Sequence, residues 1–442
     1  MWSVRYSIIG ASCIVTLSGA LCAAPAARIP TTPYLRMPDS AEGTMPRLLS
    51  QTGAFADTAS MTPSLGIIPY DLIVAFWSDG AEKTRYAAIP QGQVRFSPDA
   101  EWQFPAGTVF IKTFELPIDE AHPAHRRRLE TRLLVRDRMG GVYGVDYKWR
   151  ADGSDAELLT GAETETIPIR AASGEMRTQT WYYPSRQDCM TCHTTGAGLV
   201  LGIKTRQMNR TLQYPSGVIR NELIEWQRLG LFTPRINQAV KSYPSLAAAD
   251  DTRRSLEDRA RSYLDANCSH CHRPMGTVAN FDARYSTALD RQALIDGPVL
   301  IDQGIDRPRV ISPHDIWRSI AYLRVNTNDD IHMPPLARET IDVRGVALLR
   351  EWIESMPGRD VLAPPSIEPA GGNFAGSVMV RLTENEPGAE VRYTLDGSVP
   401  GPADALYTAP IRLTGATVLR ARAFKNGFTR SITSQQVFEV GP

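Results

Sequence analysis

The chain has 442 residues, of which 43% are hydrophobic and 22% charged, so it can bury sizeable cores and is not a disordered polypeptide. Its 48 Lys and Arg residues equal its 48 Asp and Glu residues, which leaves no net basic charge of the kind that nucleic-acid binding requires. The length predicts about three domains. Nucleic acid is therefore not an expected partner. With no net charge, the protein has to recognise its partners through local patches on its surface.

The N-terminus has the layout of a secretory signal peptide. One positive charge, Arg5, precedes an apolar run over 8–21, and small residues fill positions 23–27. The apolar run is too short to span a bilayer comfortably, and no second hydrophobic span follows it. Residues 1–24 are therefore predicted to be a cleaved signal, and the mature protein is expected to be periplasmic or secreted, without a membrane span.

The cysteines that follow the signal all belong to two CxxCH motifs. Cys13 and Cys22 lie in the predicted signal. The motifs are formed by Cys189, Cys192 and His193, and by Cys268, Cys271 and His272. A haem c requires two thiols for thioether bonds and an adjacent imidazole as the iron ligand. The sequence therefore predicts two covalently bound haem c groups, with His193 and His272 as proximal iron ligands.

Two other uses of these four cysteines stay open. Four thiolates from two separated CxxC pairs could hold a structural zinc ion, and the thiols could form disulfides in an oxidising compartment. The histidine that directly follows each pair favours haem attachment over both. His270, inside the second motif, is expected to be an exposed spacer.

The second motif lies between two predicted helices. Apolar residues recur at helical spacing before the motif, at Leu256, Ala260, Tyr263 and Leu264, and again over 346–356. Between them, Met333 is followed by two prolines. This order resembles a class I cytochrome c domain over residues 250–358. The resemblance implies that Met333 is the second axial ligand of this iron, although His332 is a rival and Met333 could instead be a packing residue.

The surroundings of the first motif are less complete. Residues 181–249 are predicted to be the first haem-binding segment, with a helix that carries Leu223 and Trp226 on one apolar face. No Met-Pro pair follows His193. The sixth ligand of this iron is therefore left open between Met208, a remote histidine and no protein ligand at all.

Residues 34–180 are predicted to form a mainly β domain, a sandwich or a barrel. Turn residues bound β-rich runs at 93–96, 108–116, 128–136 and 142–149. The segments 77–83 and 105–112, continuing through the first CxxCH motif, resemble an uncharacterised family of secreted bacterial dihaem cytochromes. Some of its members are joined to quinoprotein sugar-dehydrogenase-like domains. The resemblance implies a redox protein as donor or acceptor, for which a quinoprotein dehydrogenase is one candidate.

A proline-containing linker, 362–366, opens the last domain. The segments 391–400, 406–411 and 417–424 resemble the small immunoglobulin-like domain at the C-terminus of chitobiase. Residues 366–442 are therefore expected to form an Ig-like β-sandwich that acts as a spacer or contacts carbohydrate. The whole chain is predicted to be multidomain, with a β-rich N-terminal domain, a central α-helical cytochrome c-like haem region and this sandwich.

These features predict an electron carrier with two haems rather than a catalyst. A haem enzyme of the peroxidase or oxidase type, with an open first iron, is the alternative, but the sequence shows no distal acid and base groups for it. A third possibility is a polysaccharide-associated redox protein whose last domain binds glycan.

Overall fold

The computed structural model describes residues 35–90, 92–278 and 280–441. The predicted signal peptide, residues 1–24, lies outside these ranges. Within them, every helix is too short or too polar to cross a membrane.

The N-terminal part is built around one open antiparallel sheet. The strands before the first helix are β1 (Phe55–Asp57), β2 (Thr62–Pro63), β3 (Ile68–Pro69), β4 (Glu82–Ala88), β5 (Val94–Arg95), β6 (Val109–Pro117), β7 (Arg126–Arg136), β8 (Val142–Trp149), β9 (Ala156–Leu158), β10 (Glu163–Arg170) and β11 (Met176–Tyr183). Six of them form the sheet in the order β3-β4-β6-β7-β8-β9, and β10 and β11 form a separate hairpin. The sheet is therefore not closed into a barrel.

The two faces of this sheet have different surroundings. Ile111, Leu133 and Tyr147 point into one apolar core with Leu49. At one end of the other face, Phe110 joins a second core that includes Trp226 of the segment after the first motif. The sheet is consequently a scaffold against which the later segments fold.

Short helices and strands follow the sheet. The helices are α1 (Arg186–Cys192), α2 (Thr205–Met208), α3 (Glu222–Arg228), α4 (Leu256–Asn267), α5 (Ile320–Val325) and α6 (Val343–Ser355). Three short strands lie between α2 and α4: β12 (Thr211–Gln213), β13 (Ile219–Asn221) and β14 (Phe232–Thr233). β14 pairs with β5 of the N-terminal part, which ties the two regions together.

The prediction of a central α-helical cytochrome c-like region is wrong. The described chain is mostly β, and its two longest helices, α4 and α6, have only 12 and 13 residues. The apolar periodicity correctly located these two helices, which begin at the capping residues Ser255 and Asp342. The segment between them is largely irregular because Pro, Gly and Asp residues interrupt it and favour turns over helix.

The two longest helices nevertheless pack closely against each other. A Cβ on Gly345 of α6 would lie 2.4 Å from ring atoms of Tyr263 on α4. Glycine at this position therefore allows the helices to approach, and the contact encloses an apolar core with Leu264, Leu349 and Trp352.

The C-terminal part is a two-layer β structure, as expected for an Ig-like domain. Its strands are β15 (Ser366–Glu368), β16 (Gly372–Ala375), β17 (Val378–Thr383), β18 (Glu390–Thr394), β19 (Ala405–Leu406), β20 (Ile411–Leu413), β21 (Thr417–Phe424) and β22 (Ser434–Gly441). They form a three-stranded sheet, β15-β17-β20, and a five-stranded sheet, β16-β22-β21-β18-β19. Val380, Leu419 and Phe438 are fully buried in the core of this part.

An arginine network joins the C-terminal part to the preceding region. Arg318 is only 3% exposed and lies 3.0 Å from Asp306 and 2.8 Å from Asp315. Asp306 also contacts Arg422 at 3.2 Å and Arg430 at 3.5 Å. Burial raises the pKa of Asp306, but the guanidinium groups outweigh burial and hold this pKa below its usual range.

Replacing Asp306 with alanine is expected to lower the free energy of unfolding by about 2 kcal/mol, because Arg318 and Arg422 lose a shared carboxylate. Urea titration at pH 7 measures the effect, with Asp290→Ala, an exposed aspartate, as control. The pKa of Asp306 is lower in the folded state than in the unfolded state. Its contribution to the free energy of unfolding is therefore complete above pH ~4 and is lost as the pH falls through the folded-state pKa. An equal loss of stability at pH 7 and pH 2 would contradict this assignment.

Candidate functional site

The first CxxCH motif lies on α1, which is fixed at its start. Ser185 accepts a hydrogen bond from the amide of Asp188, and the Asp188 carboxylate accepts one from the amide of Ser185. The helix rests against β8, where a Cβ on Gly144 would lie 2.6 Å from Sγ of Cys189. Glycine at position 144 thus lets the cysteine approach the face of the sheet.

His193 is held in the tautomer that a metal-ligating imidazole needs. Its Nδ1 lies 2.7 Å from the carbonyl oxygen of Leu199. Because a carbonyl can only accept, Nδ1 carries the proton and Nε2 keeps a free lone pair. Burial lowers the pKa of His193 to about 4, so the ring is neutral at pH 7. The side chain is therefore prepared to bind a metal through Nε2.

The second motif directly follows α4, with Cys268 as the residue that ends the helix. The ring of His272 stacks on Phe281, with centroids 4.1 Å apart and planes 16° apart. Burial lowers the pKa of His272 as well, so this imidazole is also neutral at pH 7. Both predicted proximal histidines are thus neutral, as iron ligation requires.

The structure brings the two motifs into contact. Ligand atoms of Cys192, His270 and Cys271 all lie within 4.8 Å of one another. The loops after the motifs also touch, because a Cβ on Gly196 would lie only 1.9 Å from the carbonyl oxygen of Met275. An ion pair of 2.8 Å between Arg273 and Glu101 holds the second loop against the N-terminal part.

His270 differs from its sequence-based interpretation as an exposed spacer. It is 8% exposed and packs edge-on against Phe76, with ring centroids 5.5 Å apart. The thiol of Cys192 donates a hydrogen bond to Cys271, which raises the pKa of Cys192 and lowers that of Cys271 to about 4. Cys192, Cys271 and His270 could hold a metal ion, whereas Cys189 and Cys268 do not belong to this group.

A cavity of about 200 Å³ adjoins the first motif. Strands β4, β6, β7 and β8 form one wall, α1 and the residues after it form another, and the end of α4 closes a third side. Cys189, Cys192, His193 and His270 all contribute to its lining. The two thiols and the neutral imidazole beside this cavity are the groups that a haem c requires.

The other predicted ligands lie in different surroundings. Met208 is fully buried in the apolar core with Leu223 and Trp226 and does not line the cavity, which favours a packing role. Met333 is partly buried and packs against the core that also contacts Cys268. The ring Nδ1 of His332 lies 2.9 Å from the carbonyl oxygen of Asp329 in its own loop.

Sequence reasoning missed a row of charged side chains on the cavity wall. Arg85, Lys112, Arg132 and Asp146 stand opposite one another on β4, β6, β7 and β8. The three cationic members also line the cavity. In β6, Lys112 lies between the apolar residues 109–111 and 114. A charged residue at this place in an apolar strand could have indicated the row.

Comparison with known proteins identifies only the C-terminal part. Residues 369–435 match the chitobiase/beta-hexosaminidase C-terminal domain, in agreement with the two-layer β structure found there. No curated protein and no solved structure matches the chain.

Proposed function

We propose that this chain binds two haem c groups covalently and transfers electrons between a redox donor and an acceptor outside the cytoplasm. In this proposal Cys189 and Cys192 hold the first haem and His193 ligates its iron. Cys268, Cys271 and His272 hold the second. The observation that carries the proposal is the state of His193. Its Nδ1 is hydrogen-bonded to the Leu199 carbonyl, which leaves the Nε2 lone pair free, and its side chain lines the same cavity as Cys189 and Cys192.

The contact between the motifs supports electron transfer. Cys192 and Cys271 belong to different motifs, yet their sulfur atoms lie within 4.8 Å of each other. Haems attached at these cysteines would therefore occupy neighbouring positions in the same part of the molecule. A bound haem supplies one-electron chemistry, and the chain sets its potential through the axial ligands and through burial.

The sequence supports the remaining parts of the proposal. The signal-like N-terminus favours a periplasmic or secreted location, where a quinoprotein dehydrogenase is one candidate donor. The C-terminal domain would be a spacer or a carbohydrate contact. Met333 is proposed as the second ligand of the second iron, since it packs against the same apolar core as Cys268.

The haem content of the denatured protein tests the proposal. Protein expressed with a haem-maturation system is expected to retain two haems per chain after denaturation, measured by the pyridine haemochrome spectrum and by mass. The competing function is a metal centre at Cys192, His270 and Cys271, because two thiolates and one imidazole are a ligand set that zinc takes in proteins. Protein without covalent haem that carries one zinc ion per chain would establish that alternative.

A haem enzyme with an open first iron is separated from a carrier by ligand titration. Carbon monoxide added to the reduced protein, and cyanide added to the oxidised protein, are expected not to bind rapidly at either iron. Stoichiometric rapid binding at one haem, together with peroxide turnover, would overturn the carrier role.

A further inference from the structure

Three cations gather around one aromatic ring in the wall of the cavity. The charged groups of Lys83, Lys112 and Arg132 lie 5.7, 5.1 and 4.4 Å from the ring centroid of Phe114, which is fully buried. The strand register explains the cluster. Lys83 stands opposite Phe114, and Lys112 stands opposite Arg132. All three cations also line the cavity beside His193.

The chain compensates these charges only in part. Arg132 pairs with Glu130 and lies 4.0 Å from Asp146. Neither lysine has a carboxylate within 4.0 Å among the described residues, and Lys83 donates only to the carbonyl oxygen of Phe76. Lys112 has no hydrogen-bond acceptor in the described part of the chain.

The nearest acids do not make up the difference. Burial and the neighbouring Glu130 raise the pKa of Asp146 well above its usual range, so this carboxyl group holds a negative charge less readily than a free aspartate does. Burial, Arg132 and Arg85 lower the pKa of Lys112 to about 7. Clustered, desolvated cations are costly unless an opposite charge joins them. Burial also lowers the pKa of Lys83 well below its usual range. An anion bound among the three groups would supply the opposite charge and favour the charged form of both lysines.

We propose that Lys83, Lys112 and Arg132 form a binding site for a small oxyanion, a carboxylate or an inorganic anion, in the cavity beside the first CxxCH motif. The two lysines provide point charges, and the guanidinium group adds directed donors for oxygen atoms. The proposal rests on the proposed function in one respect, because the propionate carboxylates of an attached haem are one candidate for the bound oxyanion. A free anion is the other source.

Calorimetric titration with sulfate and with formate tests the site on the full haem-loaded chain. Stoichiometric binding that becomes at least about tenfold weaker in both Lys112→Met and Lys83→Met is the result expected for a free anion. Lys148→Met is the matched control, because Lys148 lies on β8 of the same sheet, pairs with Glu163 at 3.1 Å and does not line the cavity. Two lysine variants are used so that a folding defect in one does not decide the result.

A second arm separates the two sources. If propionates occupy the cluster, the loaded chain will not bind either probe, whereas a Cys189→Ala/Cys192→Ala chain will bind them and will lose that binding when Lys112→Met is added. Absence of binding in both the loaded and the double-alanine chain overturns the site. Haem content measured on the same samples shows independently whether the proposed function has failed.

Discussion

Replacing Cys189 and Cys192 together with alanine is expected to reduce covalently bound haem from two groups per chain to one. The two thiols supply the thioether bonds of one motif, and no other cysteine of the predicted mature chain can replace them. The second motif is expected to stay loaded because it follows α4, which packs on α6 rather than on the sheet. Haem per chain is measured on denatured protein by absorbance and by mass.

The reciprocal variant, Cys268→Ala with Cys271→Ala, is the matched control and is expected to retain one haem as well. The two single-haem proteins should differ in their spectra, because the surroundings of His193 and His272 differ: one imidazole is hydrogen-bonded to Leu199 and the other is stacked on Phe281. Two haems remaining in either variant would show that the motifs are not the attachment sites.

Features that depend on a few neighbouring residues could be predicted from the sequence. The CxxCH motifs need only five consecutive residues, and the apolar spacing around Tyr263 and Trp352 located helices that the structure contains. The C-terminal β domain was also predictable, because its turn and strand pattern is complete within one short segment. In each of these cases the determining interactions are local.

Features that depend on distant residues could not be predicted in this way. The central region was predicted as helical because its order of helix, CxxCH motif, Met-Pro pair and helix resembles a class I cytochrome c domain, whereas the chain between α4 and α6 is largely irregular. His270 was interpreted as exposed because its contact with Phe76 joins residues far apart in sequence. The cationic row required the register of four strands, since Arg85, Lys112 and Arg132 become neighbours only across the sheet. Strand register is set by tertiary packing, which a single sequence does not display.

Replacing Met333 with alanine is expected to abolish the near-infrared sulfur-to-iron band of the oxidised second haem and to lower its potential, because a thioether ligand favours the reduced iron. The backbone around this residue should keep its place. The Met333 amide donates to the Arg324 carbonyl at 2.9 Å, and Arg338 donates to the Met333 carbonyl at 2.5 Å. Spectral changes in this variant would therefore report the lost sulfur rather than a displaced loop.

Met356→Ala is the control that distinguishes ligation from packing. Met356 is partly buried against the same apolar core as Met333, so both substitutions should lower the free energy of unfolding by a similar amount, about 2 kcal/mol. Only Met333→Ala should remove the band, measured by near-infrared absorbance and magnetic circular dichroism with the potential followed by titration. A band that survives in Met333→Ala would mean that the methionine only packs. A wild-type protein that lacks the band, with low-spin bis-histidine signals that His332→Ala removes, would assign the ligand to His332 instead.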